Sequence, residues 1–581
     1  MYDLIIRGGK VVDGTGAPAR IADVAVKDGK IAALGKVTGS ATREIDADGL
    51  LVTPGWVDIH THYDGQATWD PYLSPSCFHG VTTVVMGNCG VGFAPAKPDK
   101  HQWLIELMEG VEDIPGTALA EGIRWGWETF PQYMDALEKD KRVMDVAAQV
   151  PHGSVRAYVM GERGARNEPA TPEDIAQMGK IVKEGIDAGA LGFSTSRTVF
   201  HRAKDGEYVP GTTADEAELM GIGEAMGKAA NRGVFELVAD QPLSTQEFKW
   251  AKALALKNEI PVSYVMFQTS EAPDEWRTTL RLTEEAQREG AEISAQVACR
   301  PTGAVIGWQS TYHPFMLLKA YQAIAGLPFP ERLKKLKDPE VRASILNEKP
   351  DLSDPMTAMM QSGFSRMFPL VDEEGNLDYE PLPENSVEGM AKRFGKPCNE
   401  IVYDMFMANE GRGYVYMPIF NYAHNSFEAI HEWLSHPSTV LGLSDGGAHC
   451  GIICDASFPT YMLSYWVRDR TRGPRLSLEQ AVQKQTQSTA QLYGLNDRGV
   501  IAPGMKADLN VIDLNNLKIL APEMIFDLPA NGRRMMQRAE GYRATIVSGV
   551  VTFENGAATG EMPGRLIRGP QNAPVKQAAA E

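Results

Sequence analysis

Two histidines stand two residues apart in the segment GWVDIHTHYDGQ (55–66), where His60 and His62 end an apolar run. A β-strand alternates its faces with a period of two, so both imidazoles are expected to point the same way. Imidazole nitrogens are common zinc ligands, and two of them at one strand end predict a metal site.

Two more residues with metal-binding chemistry follow other apolar segments. Cys89 lies in MGNCG and Asp445 lies in LSDGGAHC. Taken alone, Cys89 is typical of a small buried residue, and an aspartate before glycine is typical of a turn or helix cap. All three features at strand ends together favour a shared metal site over these structural interpretations.

The elements that must position these side chains alternate between strands and helices along the middle of the chain. Helical patterns, such as 172–189 and 216–233, lie between several of the apolar strands. The predicted strands are 55–60, 82–87, 143–150, 190–195, 233–240, 260–267, 292–299 and 439–445. Eight strands with helical crossovers predict an α/β fold, the (β/α)₈ TIM barrel, in which catalytic residues sit at the C-terminal strand ends. A doubly wound open sheet is the alternative, but no glycine-rich phosphate loop follows the first strand.

Both ends of the chain have short alternating strands punctuated by turns, which predicts one β-sandwich built from 1–54 and 491–565. The barrel is expected over 55–490. The long separation between the seventh and eighth predicted strands indicates a helical insertion around 325–400. The last residues, 566–581, have the composition of a loose tail.

Composition argues against a nucleic-acid-binding, membrane-spanning or disulfide-rich protein. There are 57 Lys and Arg against 75 Asp and Glu, and the formal charge of -18 argues against a nucleic-acid partner. No apolar run is long enough to predict a membrane span, and the start of the chain lacks the pattern of a signal peptide. The six cysteines are scattered and do not suggest a disulfide framework. We therefore expect a cytoplasmic protein without a membrane partner.

Several longer motifs carry a specific resemblance: TPGWVDIHTHYDGQ, GVTTVVMGNCGVGFAP, SDGGAHC, RGVIAPGMKADL and TGEMPGR. With them the sequence resembles the amidohydrolase superfamily, and within it the N-acyl-D-amino-acid deacylases (D-aminoacylases). The resemblance implies a metal at the barrel mouth, with His60, His62, Cys89 and Asp445 as its ligands. It also implies Zn²⁺ or another divalent ion, a small-molecule amide substrate, a homo-oligomer, and Asp445 as the general base of metal-assisted amide hydrolysis.

The sequence departs from this family at four positions. Ligand histidines at the ends of strands five and six are missing, because no histidine occurs between His201 and His313. Glu236 or Asp240 is available to replace a missing histidine as a metal ligand. With fewer ligands, we expect one metal ion rather than two. The family's substrate-binding lysine and arginine are also missing, so we place other residues in the substrate pocket: His449, Arg197, Arg156, His201 and Tyr264.

The predicted function is hydrolysis of an amide C–N bond by a D-aminoacylase-like enzyme. Aromatic segments at 307–315, 414–427 and 458–466 predict a bulky hydrophobic substrate if they line the mouth. Two alternatives stay open: a hydrolase of another amide, carbamate or cyclic amide, and a catalytically silent binding or assembly protein with the same fold.

Overall fold

Eight parallel strands form the centre of the computed structural model, which describes residues 1–372 and 374–574. Each pairs with the next, in the order of the chain: Trp56–Thr61, Val81–Met86, Asp145–Pro151, Gly192–Arg197, Val234–Ala239, Val262–Val265, Ile293–Val297 and Thr439–Leu441. Asp445 N–H donates to His60 O at 3.1 Å and His62 N–H donates to Gly446 O at 2.8 Å, which joins the last strand to the first. The predicted TIM barrel is confirmed, and its closure brings the two predicted metal-binding segments side by side.

Helices surround this barrel in the positions that the crossovers require. The helix Pro172–Asp187 starts at a capping box, in which the Thr171 side chain accepts from Asp174 N–H. The helix Glu216–Met226 is shorter than predicted, because Gly227 occupies its C-cap. The others are His101–Glu112, Gly116–Gly122, Phe130–Glu138, His152–Met160, Glu162–Ala165, Thr245–Asn258, Trp276–Arg288, Glu428–Ser435, Phe458–Tyr461, Leu478–Lys484 and Gln487–Leu492. Over the described residues, none of the helices has both the length and the apolar character that a membrane crossing needs.

Both chain ends contribute to a single nine-stranded sheet. Its strands are Tyr2–Val11, Arg20–Lys27, Lys30–Gly35, Ala41–Asp46, Leu51–Pro54, Leu509–Ile512, Tyr542–Val547, Val550–Glu554 and Ala557–Ala558. Leu51–Pro54 pairs antiparallel with Leu509–Ile512, which joins the two ends. Leu4, Val24 and Ile546 share one apolar core cluster. The small β-domain therefore assembles from both ends, as the sequence predicts.

The helical insertion lies between the seventh and eighth barrel strands and has its own core around Trp308. Its helices are Lys319–Ala325, Phe329–Leu336, Pro339–Asn347, Pro355–Ser362, Val387–Phe394 and Cys398–Gly411, and its three-stranded sheet consists of Gly303–Ile306, Phe368–Pro369 and Val415–Pro418. These elements extend beyond the predicted range of 325–400 on both sides.

Two C-terminal segments reach the barrel in ways that the sequence did not indicate. The start of the predicted tail is docked, since Leu566 bridges to Val146 and Gln571 bridges to Leu495; residues 575–581 lie outside the described part of the chain. A hairpin of the strands Glu523–Leu528 and Gly532–Met536 leaves the large sheet. Met535 N–H in this hairpin donates to Cys450 O, in the loop that carries Asp445.

Candidate metal centre

Four of the predicted ligands meet at the C-terminal ends of barrel strands one, two and eight. The candidate donor atoms of His60, His62 and Cys89 all lie within 4.8 Å of one another. His60 Nε2 is 3.3 Å from Cys89 Sγ. Asp445 Oδ1 lies 3.6 Å from His60 Nε2 and 3.7 Å from His62 Nε2. We call these four residues the donor cluster.

The motif GNCG folds as a tight turn that aims the Cys89 thiol into the barrel. Cys89 itself has a φ of 56°, in the left-handed region that non-glycine residues rarely adopt. A Cβ on Gly87 would lie 2.5 Å from Gln149 O, and one on Gly90 would lie 2.8 Å from Ser196 N. Both glycines are therefore required for the turn to approach strands three and four.

The motif SDGG makes a second strained turn, which follows the eighth barrel strand. Asp445 has a φ of 49°, and Gly447 has a φ of 95°. A Cβ on Gly447 would lie 3.0 Å from His62 O, so only glycine lets this turn pack against the first strand. The Asp445 carboxylate is consequently held over the two histidines.

Gln296, on the seventh strand, fixes the orientation of His60. Its Oε1 lies 2.9 Å from His60 Nδ1, and its Nε2 donates to Ser263 Oγ at 2.9 Å. An amide oxygen only accepts, so Nδ1 carries the proton and the Nε2 lone pair faces Cys89 and Asp445. Burial lowers the pKa of His60 to about 4 and keeps the ring neutral, as a metal ligand must be.

Glu112 is a member of the site that the sequence did not reveal. It ends the helix His101–Glu112, is 1% exposed, and places Oε1 3.4 Å from His62 Nδ1 and Oε2 3.6 Å from His449 Nε2. Burial favours neutral His62, but the charge of Glu112 and the hydrogen bond to Asp445 outweigh it and raise the pKa of His62 to about 9. A metal ion that binds His62 must therefore displace its proton. A lone glutamate at a helix end carries no motif, so no sequence signal pointed to it.

The fifth strand supplies Glu236 where a family histidine was expected. Glu236 Oε2 accepts from Cys89 N–H at 3.2 Å, and burial raises the pKa of Glu236 to about 8. Asp240, the other substitute, accepts instead from Thr198 Oγ1 and Val199 N–H and so organises the loop after strand four. Of the two carboxylates, the structure brings only Glu236 to the cluster.

The residues present fit a divalent cation. Glu236 Oε1 is buried without a hydrogen-bond partner in the described part of the protein, and Glu112 Oε1 faces His62 Nδ1 at 3.4 Å without a hydrogen bond. Buried polar atoms without partners are costly, and a nearby positive charge stabilises carboxylates of this kind. Two imidazoles, a thiol and a carboxylate together form a donor set that suits zinc.

Two of the predicted substrate-binding residues flank the donor cluster. His449 contacts Glu112 and has a φ of 49°, in the same strained loop as Asp445. His201 Nδ1 lies 3.1 Å from Ser196 Oγ. Burial, followed by the charges of His449 and His62, lowers the pKa of His201 to about 3. The charges of the metal-site histidines therefore act on His201.

The structure does not bring the other three to the site, because each is engaged elsewhere. Arg156 Nε donates to Glu218 Oε1 at 2.9 Å in a buried ion pair. Arg197 Nη2 donates to Glu247 Oε1 at 2.9 Å. The Tyr264 hydroxyl lies 2.5 Å from Thr283 Oγ1, on the helix Trp276–Arg288. Arg156, Arg197 and Tyr264 are thus structural in this fold.

Replacing Gln296 with leucine is expected to weaken zinc binding by about 10- to 100-fold, because His60 loses the acceptor that fixes its tautomer and ring orientation. Competition with a chromophoric chelator measures the zinc dissociation constant. Gln246→Leu, at an exposed glutamine that bonds Glu216, is the matched control. Equal zinc affinity in Gln296→Leu and the wild type would show that the ring is oriented without this contact.

Comparisons with known proteins agree with this fold. A family model described as the amidohydrolase family matches residues 43–553. A D-aminoacylase of Alcaligenes xylosoxydans xylosoxydans is 26% identical over 575 residues, which cover 97% of both chains. An N-acyl-D-glutamate deacylase from the same organism is 27% identical over 97% of this chain and 96% of its own. A solved D-aminoacylase superposes with a TM-score of 0.65 at 24% identity, over 98% of this chain and 100% of that one.

Proposed function

Because the chain belongs to the amidohydrolase family, we propose that it hydrolyses an amide C–N bond and removes the acyl group from N-acyl-D-amino acids. The observation that carries the proposal is the buried donor cluster at the barrel mouth, next to Glu112 and Glu236. Relatives described as a D-aminoacylase and an N-acyl-D-glutamate deacylase match nearly the whole chain and support this substrate class. A catalytically silent protein has less support, since packing alone does not call for four metal-binding residues at one spot.

We assign one divalent ion, zinc in the first instance, to His60, His62, Cys89 and Asp445. When bound, such an ion supplies Lewis acidity that makes hydroxide available near neutral pH and polarises the amide carbonyl. A solved N-acyl-D-glutamate deacylase from Bordetella bronchiseptica was complexed with zinc and a phosphonate inhibitor. A solved D-aminoacylase has a binuclear metal centre in which one metal activates and the second attenuates, and this supports a single activating ion here.

Asp445 performs the proton transfers of this reaction. Its carboxylate accepts a proton from the attacking water, whose oxygen bonds to the acyl carbon, and then delivers that proton to the amide nitrogen as the C–N bond breaks. The water's second proton also ends on the amine, so the products are a carboxylate and an ammonium group. His60 and His62 hold the donor geometry, while the surrounding burial keeps bulk water away from the reacting groups.

The mouth offers an apolar surface for the substrate. Phe267 stacks on Phe420 with ring centroids 4.8 Å apart, and Phe200 meets Phe420 edge-on at 6.5 Å. Phe200 is 74% exposed and lies beside His201. Most rings of the three aromatic segments in the sequence are buried in the core, as Trp308 and Trp466 are. Phe420 is only partly buried and lies at the rim of the barrel mouth. We propose that an apolar group of the substrate packs on this rim.

The decisive experiment is a panel of paired N-acetyl-D- and N-acetyl-L-amino acids offered to zinc-loaded protein. We expect release of acetate from the D-series, with leucine, phenylalanine and methionine derivatives preferred over uncharged polar ones. Faster cleavage of the L-series would overturn the stereochemical assignment. Turnover confined to hydantoins or carbamates would favour another amidohydrolase reaction, and no turnover of any amide by zinc-loaded protein would refute the deacylase proposal.

A further inference from the structure

The hairpin of Glu523–Leu528 and Gly532–Met536 carries an arginine to the edge of the barrel mouth. Met535 N–H donates to Cys450 O at 2.6 Å, and Gly451 N–H donates to Asp113 Oδ2 at 3.0 Å. Arg533 is therefore held beside the loop of Asp445, although it comes from the distant C-terminal region. Its side chain is half-buried and has no hydrogen bond or ion pair with any residue that the structure describes.

Asp113 acts on this arginine through its charge but makes no hydrogen bond or ion pair with it among the described residues. Burial raises the pKa of Asp113, and the charges of His449 and Arg533 oppose that shift. Its carboxylate oxygens already accept from Thr311 Oγ1 at 2.9 Å and from Gly451 N–H. A partly buried guanidinium with five donors is thus left without an acceptor in the described chain.

Three more donors around Arg533 also lack acceptors. Arg332 donates to the carbonyls of Trp308 and Ala325, but its Nε is buried without a partner. His313 Nδ1 accepts from Phe315 N–H at 3.2 Å, so the ring proton sits on Nε2. Neither that nitrogen nor the hydroxyl of the buried Tyr321 has a hydrogen bond within residues 1–372 and 374–574.

These donors converge on one place. The rings of His313 and Tyr321 meet at 4.7 Å, and Trp308, which accepts from Arg332, stacks on Tyr321 at 5.6 Å. The charges of Arg332 and Arg533 both act on His313 and Tyr321, and with burial they lower the pKa of His313 to about 3. His313 consequently stays a neutral donor beside two guanidinium groups. Such a site is rich in donors and poor in acceptors, which is what an anion requires.

We propose that Arg533 and Arg332, assisted by His313 and Tyr321, form a subsite for a substrate carboxylate remote from the scissile amide. Asp113 follows Glu112, whose carboxylate contacts His62 and His449, so the subsite adjoins the donor cluster but is separated from it by these side chains. This proposal rests on the deacylase function. It names a substrate with a second anionic group, either at the end of its acyl chain or on its amino-acid side chain.

The test compares Arg533→Met with the wild type on charged and neutral substrates of equal length. The pairs are N-acetyl-D-glutamate with N-acetyl-D-glutamine, and N-succinyl-D-leucine with N-butyryl-D-leucine. In Arg533→Met we expect kcat/KM for the preferred charged substrate to fall about 10- to 100-fold, because KM rises. For the neutral substrate of the same pair, kcat/KM should stay within about twofold of the wild type. Lys335→Met removes an exposed charge from the Arg332 helix and should change neither. Equal losses on both members of a pair, or no loss, would overturn the subsite.

Direct binding separates this proposal from the deacylase function. Calorimetry with glutarate and with inorganic phosphate should detect binding to the wild type that Arg533→Met loses, even if no amide is cleaved. Glutarate should compete with the charged substrate. Phosphate that binds at Arg533 and changes kcat without altering KM would identify a free anion as the occupant and refute the substrate assignment. Absence of Arg533-dependent binding would refute the anion site itself.

Discussion

Asp445→Asn is expected to lower kcat by about 10³-fold, the effect of removing a general base from hydrolysis. Asparagine has nearly the same shape but cannot accept the proton from water. Burial disfavours the charged form of Asp445, but the hydrogen bond from His62 and the charges of His60 and His449 hold its pKa below the usual range. The carboxylate is therefore ionised at neutral pH and available for proton transfer. Steady-state kinetics on the best N-acyl-D-amino acid of the panel measure the effect.

Two measurements show whether proton transfer is the cause. Zinc content of Asp445→Asn is determined in the same preparation, because the variant also removes a negatively charged donor. Asp274→Asn is the matched control: Asp274 lies in the loop after strand six, pairs with Arg277 and is exposed. We expect its activity to be unchanged. If Asp445→Asn keeps both its zinc and a kcat within tenfold of the wild type, another residue is the base.

The fold was predictable because the barrel strands are rich in apolar residues and separated by helical patterns. Each of the eight predicted segments overlaps an observed strand, and the joining of the chain ends followed from their shared strand-and-turn texture. The hairpin 523–536 was not predictable in this way. Its docking depends on tertiary contacts, such as Met535 N–H with Cys450 O, that leave no local pattern in the sequence.

The site was predictable only where residue type and spacing coincide with a strand end. His60, His62, Cys89 and Asp445 met that condition, and the structure brings them together. Glu112, by contrast, reaches the cluster through the end of a helix that packs over the mouth, and nothing in its sequence context separates it from a surface glutamate. The failed candidates, such as Arg156, show the converse: an arginine near a strand end is often neutralised by a helix behind the barrel.

The double variant His60→Ala, His62→Ala is expected to reduce bound zinc from about one equivalent to below about 0.1 and to abolish turnover. His60 lies in the first strand and His62 follows its end; both are about 1% exposed, and Asp445 approaches both. Without them, Cys89 and Asp445 cannot complete a four-donor site. Elemental analysis of protein purified without chelator, and again after dialysis against zinc, measures the loss.

The control variant His424→Ala shows whether the loss of zinc is specific to the two histidines of the donor cluster. His424 is exposed and contacts only the surface acid Asp274 among described carboxylates, so its loss should leave zinc and activity intact. Chelator-stripped wild type should regain activity when zinc returns, whereas the double variant should not, because its defect lies in the donors rather than in metal supply. Full zinc occupancy in the double variant would place the ion elsewhere. Since Asp445 derives its proposed role from the same cluster, that outcome would remove the structural basis for hydrolysis at this end of the barrel.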